Sequence, residues 1–217
     1  MKEVTINVYT AKELKEVNAK AYAKVLERER QSLYEDGLVY ELTRERAVEL
    51  LKVCGFSGKG RKPISCKDIG SDLDRNDIYV EGQWRDTDLA AFEKNHMDYG
   101  DAAAEEVHAR FRKIADALKS AREADADSND NVMVVYCTTR SYRGQSVSFD
   151  YDQCSESFVS AAEDLEDDWR DAFQAMERYL IQCLQADAED LTSEEQIVES
   201  LLSNDLWFDD MGRVVMW

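Results

Sequence analysis

The sequence is poor in proline, and it lacks any long apolar run. Pro63 is the only proline in the sequence, which argues against long disordered linkers. No stretch of about 18 consecutive apolar residues exists, so the sequence predicts no membrane-spanning segment. The opening residues, Met1 to Ile6, lack the apolar region of a secretory signal. We therefore expect the protein to be cytoplasmic, in the cytosol of its host.

The cysteines and histidines do not follow a metal-binding pattern. The sequence has five cysteines and two histidines, and no two cysteines form a Cys-x-x-Cys pair. In a cytosolic chain, an odd number of scattered cysteines indicates thiols that are reduced and mostly buried. A zinc site would have to combine four residues without close ligand spacing, namely Cys54, Cys66, His96 and His108. We expect no bound metal and no cofactor.

Negative charge is concentrated in the last third of the sequence. Residues 1–62 hold 13 Lys/Arg and 10 Asp/Glu, whereas residues 150–217 hold 3 and 19. A surface of this charge repels nucleic acid and anionic membranes, and it attracts basic protein surfaces. We therefore expect a basic protein as the partner, with no direct contact to nucleic acid or to a membrane.

Periodicity and capping residues predict both strands and helices. A strand at 4–9 is predicted to precede a helix that begins with a capping box of Thr10 and Glu13, and this helix runs to about Tyr34. Thr43 is expected to start a second helix. The other predicted elements are a strand at 77–84, a helix at 102–124, a hairpin of 132–139 with 145–151, a long helix at 155–186, a short helix opened by Thr192 and Glu195, and a C-terminal hairpin that turns at Asp210-Met211-Gly212.

This order of elements predicts an α+β fold. Two hairpins and the absence of a regular strand–helix–strand rhythm favour a mostly antiparallel sheet packed with several helices, including one long acidic C-terminal helix. We expect a single domain over residues 1–217. The alternative is a subdivision near 125–130, with an acidic C-terminal part at 150–217.

Three segments carry a family resemblance. The chain contains Ile78-Tyr79-Val80-Glu81-Gly82-Gln83-Trp84, then Leu191-Thr192-Ser193-Glu194-Glu195-Gln196-Ile197-Val198-Glu199, and finally the turn Asp210-Met211-Gly212-Arg213. Together with the opening strand and helix, these segments resemble small phage and prophage proteins labelled as the N-terminal part of an antitoxin of a toxin–antitoxin stability system. Residues 85–89 depart from the Gly-rich pattern of that family. The resemblance implies a mobile-element origin, and it provides no catalytic residues to carry over to this sequence.

Enzymatic alternatives rest on weaker patterns. A metal-dependent hydrolase or nuclease would use one of the carboxylate pairs Asp72 and Asp74, Asp86 and Asp88, or Asp150 and Asp152. Among 46 acidic residues such spacings arise by chance, and the net charge of −19 opposes a nucleic-acid substrate. A cysteine nucleophile would need His96 or His108 as its partner, and we place His108 on a partly exposed helix flank. The glycine- and lysine-rich loop at 58–62 lacks the spacing of a phosphate-binding loop. The sequence therefore predicts a protein that is not an enzyme.

The candidate functional residues lie on the predicted long helix. Its apolar stripe contains Phe158, Leu165 and Trp169, and most of its carboxylates lie away from this stripe. Like charges one turn apart cost about 0.2–0.5 kcal/mol per pair in an isolated helix. Their retention favours a binding role, and a solvated face that aids solubility is the alternative. The predicted partner-binding residues are Glu156, Glu163, Asp164, Glu166, Asp167, Asp168 and Asp171.

Charge and resemblance together predict a non-enzymatic phage-type inhibitor. Carboxylates about 6 Å apart along a helix approximate the spacing of backbone phosphates. Such a face would occupy the basic, nucleic-acid-binding cleft of a host defence protein by mimicry, in the manner of an anti-CRISPR or anti-restriction protein. The alternatives are an antitoxin that neutralises a basic toxin by direct binding, and the small metal-dependent hydrolase or nuclease.

Overall fold

Helices account for most of the described chain. A computed structural model describes residues 7–58, 62–72, 77–85, 101–124, 134–138, 146–150 and 154–215. Within these ranges the helices are α1 (Ala11–Val17), α2 (Ala19–Glu35), α3 (Leu38–Val53), α4 (Ala102–Ala124), α5 (Glu156–Glu163), α6 (Glu166–Leu191) and α7 (Glu194–Ser203). The strands are β1 (Ile69–Asp72), β2 (Asp77–Arg85), β3 (Val134–Thr138) and β4 (Ser146–Asp150), and a 3₁₀ turn covers Cys66–Asp68.

The predicted fold class is wrong. The protein is mostly helical, so an α+β fold built mainly of antiparallel sheet does not describe it. Two helix ends also differ from those expected: α3 begins at Leu38 rather than at Thr43, and α6 continues to Leu191 rather than ending near Ala186. In the described residues, no helix combines the length and the apolar composition that crossing a membrane requires.

The chain divides into two compact units. The first unit contains residues 1–41 and 185–217, and the second contains residues 42–184. Both divisions fall inside helices, α3 and α6. The predicted subdivision near 125–130 lies outside the described residues. The acidic part at 150–217 is therefore shared between the two units.

In the first unit, a break separates α1 from α2. The capping box of Thr10 and Glu13 is confirmed, because the Thr10 N–H donates to Glu13 Oε2 at 2.8 Å. The single helix predicted up to Tyr34 is wrong. Asn18 has the non-helical angles φ −148° and ψ 85°, and its Oδ1 accepts a bond from the Ala21 N–H at 3.1 Å. An asparagine amide competes with the helical backbone in this way, so α2 begins anew after Asn18.

The C-terminal turn of the first unit packs against α2. Phe208 is fully buried, and its backbone exchanges hydrogen bonds with Tyr9 at 2.8 and 2.9 Å. Phe208 also bridges to Val214, so the turn forms at the predicted position, although only as isolated bridges. Gly212 has φ +78°, and a Cβ there would meet the Ala21 carbonyl oxygen at 3.1 Å. Glycine is therefore required at this contact.

Asp209 holds the same turn together. Its carboxylate accepts bonds from the backbone N–H groups of Met211 and Arg213, at 3.0 and 2.9 Å, and from Arg213 Nε at 2.7 Å. The side chain is largely buried. These bonds, led by that from the Arg213 N–H, favour the ionised form and lower the pKa of Asp209.

An aromatic cluster forms the centre of the second unit. Trp84 of β2 meets Trp169 of α6 edge to face, with ring centroids 5.0 Å apart. Phe173 of α6 meets Phe111 of α4 in the same manner at 5.3 Å, and Phe56 lies 5.4 Å from Phe111. Aromatic pairs of this geometry add about 0.5–1.5 kcal/mol each beyond their buried area. The cluster joins α4, α6 and β2 into one core.

Short antiparallel ladders accompany this core. β2 pairs with β1 and β3, and β3 pairs with β4, in the order β1-β2-β3-β4. Every second side chain of a strand faces the same side of the sheet, and Ile78, Val80 and Trp84 are accordingly buried together on one face. The predicted strand at 77–84 overlaps β2, whereas β1 was not predicted. Residues 141–144, the predicted hairpin turn, lie outside the described ranges.

We expect Phe173→Ala to destabilise the second unit strongly. The side chain is fully buried and contacts Phe111 and Trp169, so its loss should lower the free energy of unfolding by about 3–5 kcal/mol. Urea unfolding followed by far-ultraviolet circular dichroism measures this loss. Leu42→Ala, at a side chain that is 47% exposed, is the matched control and should cost no more than about 0.5 kcal/mol. Equal effects of the two changes would contradict the central role of the cluster.

Asp209→Asn should destabilise the protein in a pH-dependent manner. The folded pKa of Asp209 lies below its ordinary value, so its stabilisation is present above the unfolded pKa and is lost as the pH falls through the folded pKa. The urea midpoint of the variant should therefore lie below that of the parent near pH 7, and the two midpoints should converge as the pH falls through the folded pKa of Asp209. A difference in midpoint that stays the same as the pH is lowered would contradict this role of the charge.

Candidate functional site

The predicted long acidic helix is two helices. α5 ends at Glu163 and α6 begins at Glu166, and between them the Leu165 N–H donates to the Ala162 carbonyl at 3.1 Å. This i to i+3 bond marks a tightened turn of the 3₁₀ kind. The prediction of one helix over 155–186 is therefore wrong. Ser155 caps α5 by accepting a bond from the Phe158 N–H at 3.2 Å.

The seven predicted partner-binding carboxylates all lie on these two helices or on the turn between them. We call this set the acidic helix surface. Two of its members, Glu166 and Asp168, are half-buried. The exposed members are Glu156, Glu163, Asp164, Asp167 and Asp171.

Three of these carboxylates also stabilise α6 locally. Glu166, Asp167 and Asp168 lie in the first turn of the helix. Negative charge at a helix N-terminus is favoured by the backbone dipoles, by about 0.3–1 kcal/mol per group at exposed positions. Part of the acidic pattern is therefore explained by the helix itself, without a partner.

Two ion pairs neutralise part of the acidic helix surface. Lys113 of α4 donates to both oxygens of Asp168, at 2.8 and 3.0 Å. Arg170 pairs with Asp167 at 2.7 Å, one turn along α6. Glu156, Glu163, Asp164 and Asp171 form no ion pair within the described part of the chain. These four exposed carboxylates carry the uncompensated charge of the surface, together with the half-buried Glu166, which likewise forms no ion pair with a described residue.

The residues of the nucleophile and zinc alternatives lie in different surroundings. Cys54 is fully buried, and burial raises the pKa of its thiol, which disfavours the reactive thiolate. Cys66 is exposed. His108 is buried on α4, so its predicted place on a partly exposed flank is wrong. His96 lies outside the described residues.

The carboxylate pairs of the hydrolase alternative fall largely outside the described ranges. Asp74, Asp86, Asp88 and Asp152 are not described, so none of the three pairs is described in full. Within the described ranges, no three His, Cys, Asp or Glu side chains are grouped so that they could hold a metal ion. The hydrolase alternative therefore stays a prediction.

A partly buried polar link was not predicted from the sequence. Tyr179 of α6 donates to Asp101 Oδ2 at 3.0 Å, and Asp101 Oδ1 accepts a bond from the Ala103 N–H at 2.9 Å. Burial, followed by a hydrogen bond with Cys183, raises the pKa of Tyr179. The hydroxyl therefore stays protonated and ties the start of α4 to the middle of α6.

A groove in the first unit was also not predicted from the sequence. It has a volume of about 880 Å³, and we call it the α7 groove because one face of α7 lines it. Its lining consists of Lys12, Lys15, Glu16, Tyr22, Glu194, Glu195, Val198, Glu199, Leu202 and Ser203. Carboxylates and apolar residues each repeat at a spacing of four along α7, which is the signal in the sequence. The helices that complete the groove are too distant in sequence to be paired by spacing alone.

One carboxylate links the two sides of this groove. Lys15 Nζ donates to Glu194 Oε1 at 2.6 Å, and the Tyr22 hydroxyl donates to the same oxygen at 2.9 Å. The bond from Lys15, followed by that from Tyr22, lowers the pKa of Glu194. Burial and the neighbouring carboxylate raise the pKa of Tyr22 to about 12. Glu194 is thus ionised, and Tyr22 is protonated, at neutral pH.

Comparison of the chain with protein-family models, with curated proteins and with solved structures finds no match. The resemblance to phage antitoxin-like proteins therefore stays a prediction that rests on the three segments quoted above. The fold of the first unit adds one observation. Residues 191–199 and 210–213, which carry part of the resemblance, both belong to this unit together with α1 and α2.

The ion pair between Lys113 and Asp168 should contribute little to stability. Its two side chains are 69% and 35% exposed, so water screens their attraction. A double-mutant cycle with Lys113→Ala and Asp168→Ala, read by urea unfolding, should give a coupling energy of about 0.2–1 kcal/mol. A coupling well above this range would mean that the pair holds α4 to α6 and is not merely a surface contact.

Proposed function

We propose that the protein is a non-enzymatic inhibitor that binds the basic, nucleic-acid-binding cleft of a host defence protein. The acidic helix surface is the proposed binding site. The observation that carries this proposal is that five of its seven carboxylates are exposed on two consecutive helices and the turn between them, and four of these five have no ion-pair partner within the described ranges.

Electrostatics supports a basic partner. Four exposed, uncompensated carboxylates on α5, on α6 and on the turn between them create a negative potential that steers a cationic surface towards them. In isolation such like charges repel one another, so the approach of cations from a partner lowers the electrostatic free energy of the surface. A cleft that normally binds phosphates offers Lys and Arg side chains at comparable spacing.

A second candidate function is an antitoxin that neutralises a basic toxin. The observation that favours it is the assembly of α1, α2, residues 191–199 and the C-terminal turn into one unit, since these are segments of the antitoxin-like resemblance. Here the partner would be a toxin, and nucleic acid would not compete for it. Competition by nucleic acid therefore distinguishes the two candidates.

Charge reversal of the unpaired carboxylates should abolish partner binding and leave the fold intact. The variant Glu163→Lys, Asp164→Lys, Asp171→Lys avoids the ion-paired Asp167 and Asp168. Because all three side chains are exposed, the free energy of unfolding should change by no more than about 0.5 kcal/mol per site. The proteins that the immobilised parent retains from a host lysate are identified by mass spectrometry. The immobilised variant should not retain these proteins. Retention by the parent should also fall steeply as the salt concentration rises.

The matched control reverses three exposed carboxylates of α4 in the same unit. Glu105→Lys, Asp116→Lys, Glu123→Lys changes the net charge by the same amount and should retain the same proteins as the parent. Double-stranded DNA or RNA added in excess should release the retained protein from the parent. The proposal would be contradicted if excess nucleic acid did not release the retained protein. It would also be contradicted if the two variants lost retention equally.

A further inference from the structure

We propose that the α7 groove of the first unit binds a cationic amphipathic helix of a partner protein. This site is separate from the acidic helix surface, which lies in the second unit. The proposal thus goes beyond the inhibitor function and does not depend on it.

The shape of the groove fits a helix. The lining residues of α7 are Glu194, Glu195, Val198, Glu199, Leu202 and Ser203, which repeat at spacings of one and four and so form one face of this helix. Ten residues of helix are about 15 Å long, so the lined face extends over nearly three turns. An α-helix laid along this face would meet it over its whole length.

The chemistry of the groove separates into a floor and a rim. Tyr22 and Val198 are buried, and Leu202 is half-buried, so these three side chains give an apolar floor. Glu195 and Glu199 are exposed, lie one turn apart and form no ion pair with any described residue. An apolar floor beside a charged rim is complementary to an amphipathic helix.

The sign of the rim charge selects a cationic partner. Lys15 and Glu194 neutralise each other at 2.6 Å. The remaining lining charges are three carboxylates, Glu16, Glu195 and Glu199, against the single cation Lys12. Lys and Arg side chains also lay their alkyl stems along apolar surface, which suits the border between this floor and this rim.

The composition of the lining also argues against a small molecule. Small-molecule sites enclose most of their ligand and are lined mainly by apolar and aromatic side chains. Six of the ten lining residues here are charged, and all six are exposed. A lining of this kind is typical of the charged rim of a protein interface.

The probe for the test is a synthetic, fluorescein-labelled peptide of about 14 residues, a length at which an isolated helix begins to be populated. It contains only Lys, Leu and Ala, with lysines at a spacing of four beside leucines at the same spacing. A second peptide has the same composition in an order that spreads the lysines around the helix. Fluorescence anisotropy with the full chain should show about tenfold tighter binding of the amphipathic peptide than of the reordered one.

The groove variant is Glu195→Lys, Glu199→Lys, which should weaken binding of the amphipathic peptide about tenfold at low salt. Its matched control is Glu189→Lys, Asp190→Lys, two exposed carboxylates of α6 in the same unit that do not line the groove. The control should bind within about twofold of the parent. Leu202→Ala tests the floor and should also weaken binding, while circular dichroism verifies that the variant is folded.

Three results would overturn the proposal. The first is equal binding of the two peptides, which would indicate attraction by net charge alone. The second is equal weakening by the groove variant and its control. The third is loss of binding in the variant Glu163→Lys, Asp164→Lys, Asp171→Lys with retention in the groove variant, which would move the peptide site to the acidic helix surface and leave the inhibitor proposal standing.

Discussion

The burial of Trp169 and Phe173 is the constraint on which the acidic helix surface depends. Both side chains are completely or almost completely buried in the aromatic cluster with Trp84 and Phe111, so α6 cannot rotate about its axis. Successive residues of a helix are about 100° apart, which places Asp171 about 160–200° away from both aromatic residues. The exposure of this carboxylate is therefore a consequence of the core packing. A change in the cluster would alter the surface as well as the stability.

The same geometry explains why Asp168 differs from its neighbours. It lies about 100° from Trp169, on the flank of α6 rather than opposite the core. There it meets Lys113 of α4, whose helix contributes Phe111 to the same cluster. The packing that exposes Asp171 thus also neutralises Asp168. Identical residues three positions apart have different roles because they lie at different angles to the core.

Elements with a strong local signal were predicted well. The bounds of α4 agree with the predicted helix at 102–124, because a regular apolar stripe, which contains Phe111 and Ile114, packs inward along it. The capping box of Thr10 and Glu13 is likewise a local signal and is confirmed. In both cases the signal is a spacing of residues within one segment, so a single sequence contains it, although the stripe of α4 packs against residues as distant in sequence as Phe173.

Predictions failed where the structure depends on contacts between residues far apart in the sequence, or on a residue that can take either of two structural roles. Thr43 has the chemistry of a helix cap, yet it is fully buried inside α3. Asn18 can continue a helix or cap the next one, and here its Nδ2 also donates to the Asp210 carbonyl at 2.8 Å, 192 positions further along the chain. Leu165 continues the apolar stripe in the sequence, yet it lies in the turn that separates α5 from α6. Sequence spacing does not distinguish these outcomes.

The acidic helix surface was likewise predictable only in part. The carboxylates themselves are read from the sequence, and a pair such as Asp167 with Arg170 follows from helical spacing. The pair Lys113 with Asp168 joins residues 55 positions apart, and Lys15 with Glu194 joins residues 179 positions apart. Only the fold shows which charges these pairs remove, and hence which carboxylates are left to attract a partner.

Net charge alone is therefore a poor measure of a binding surface in this protein. The acidic last third of the sequence is divided between the two units. In the first unit, residues 1–41 hold seven Lys/Arg and eight Asp/Glu, whereas residues 185–217 hold one and nine. Folding brings the N-terminal helices, whose charges are nearly balanced, against acidic α7, and the bond between Lys15 and Glu194 is one result. Part of the C-terminal acidity therefore serves attraction within the fold. The carboxylates available to a partner are those that this attraction and the packing of α6 leave unpaired.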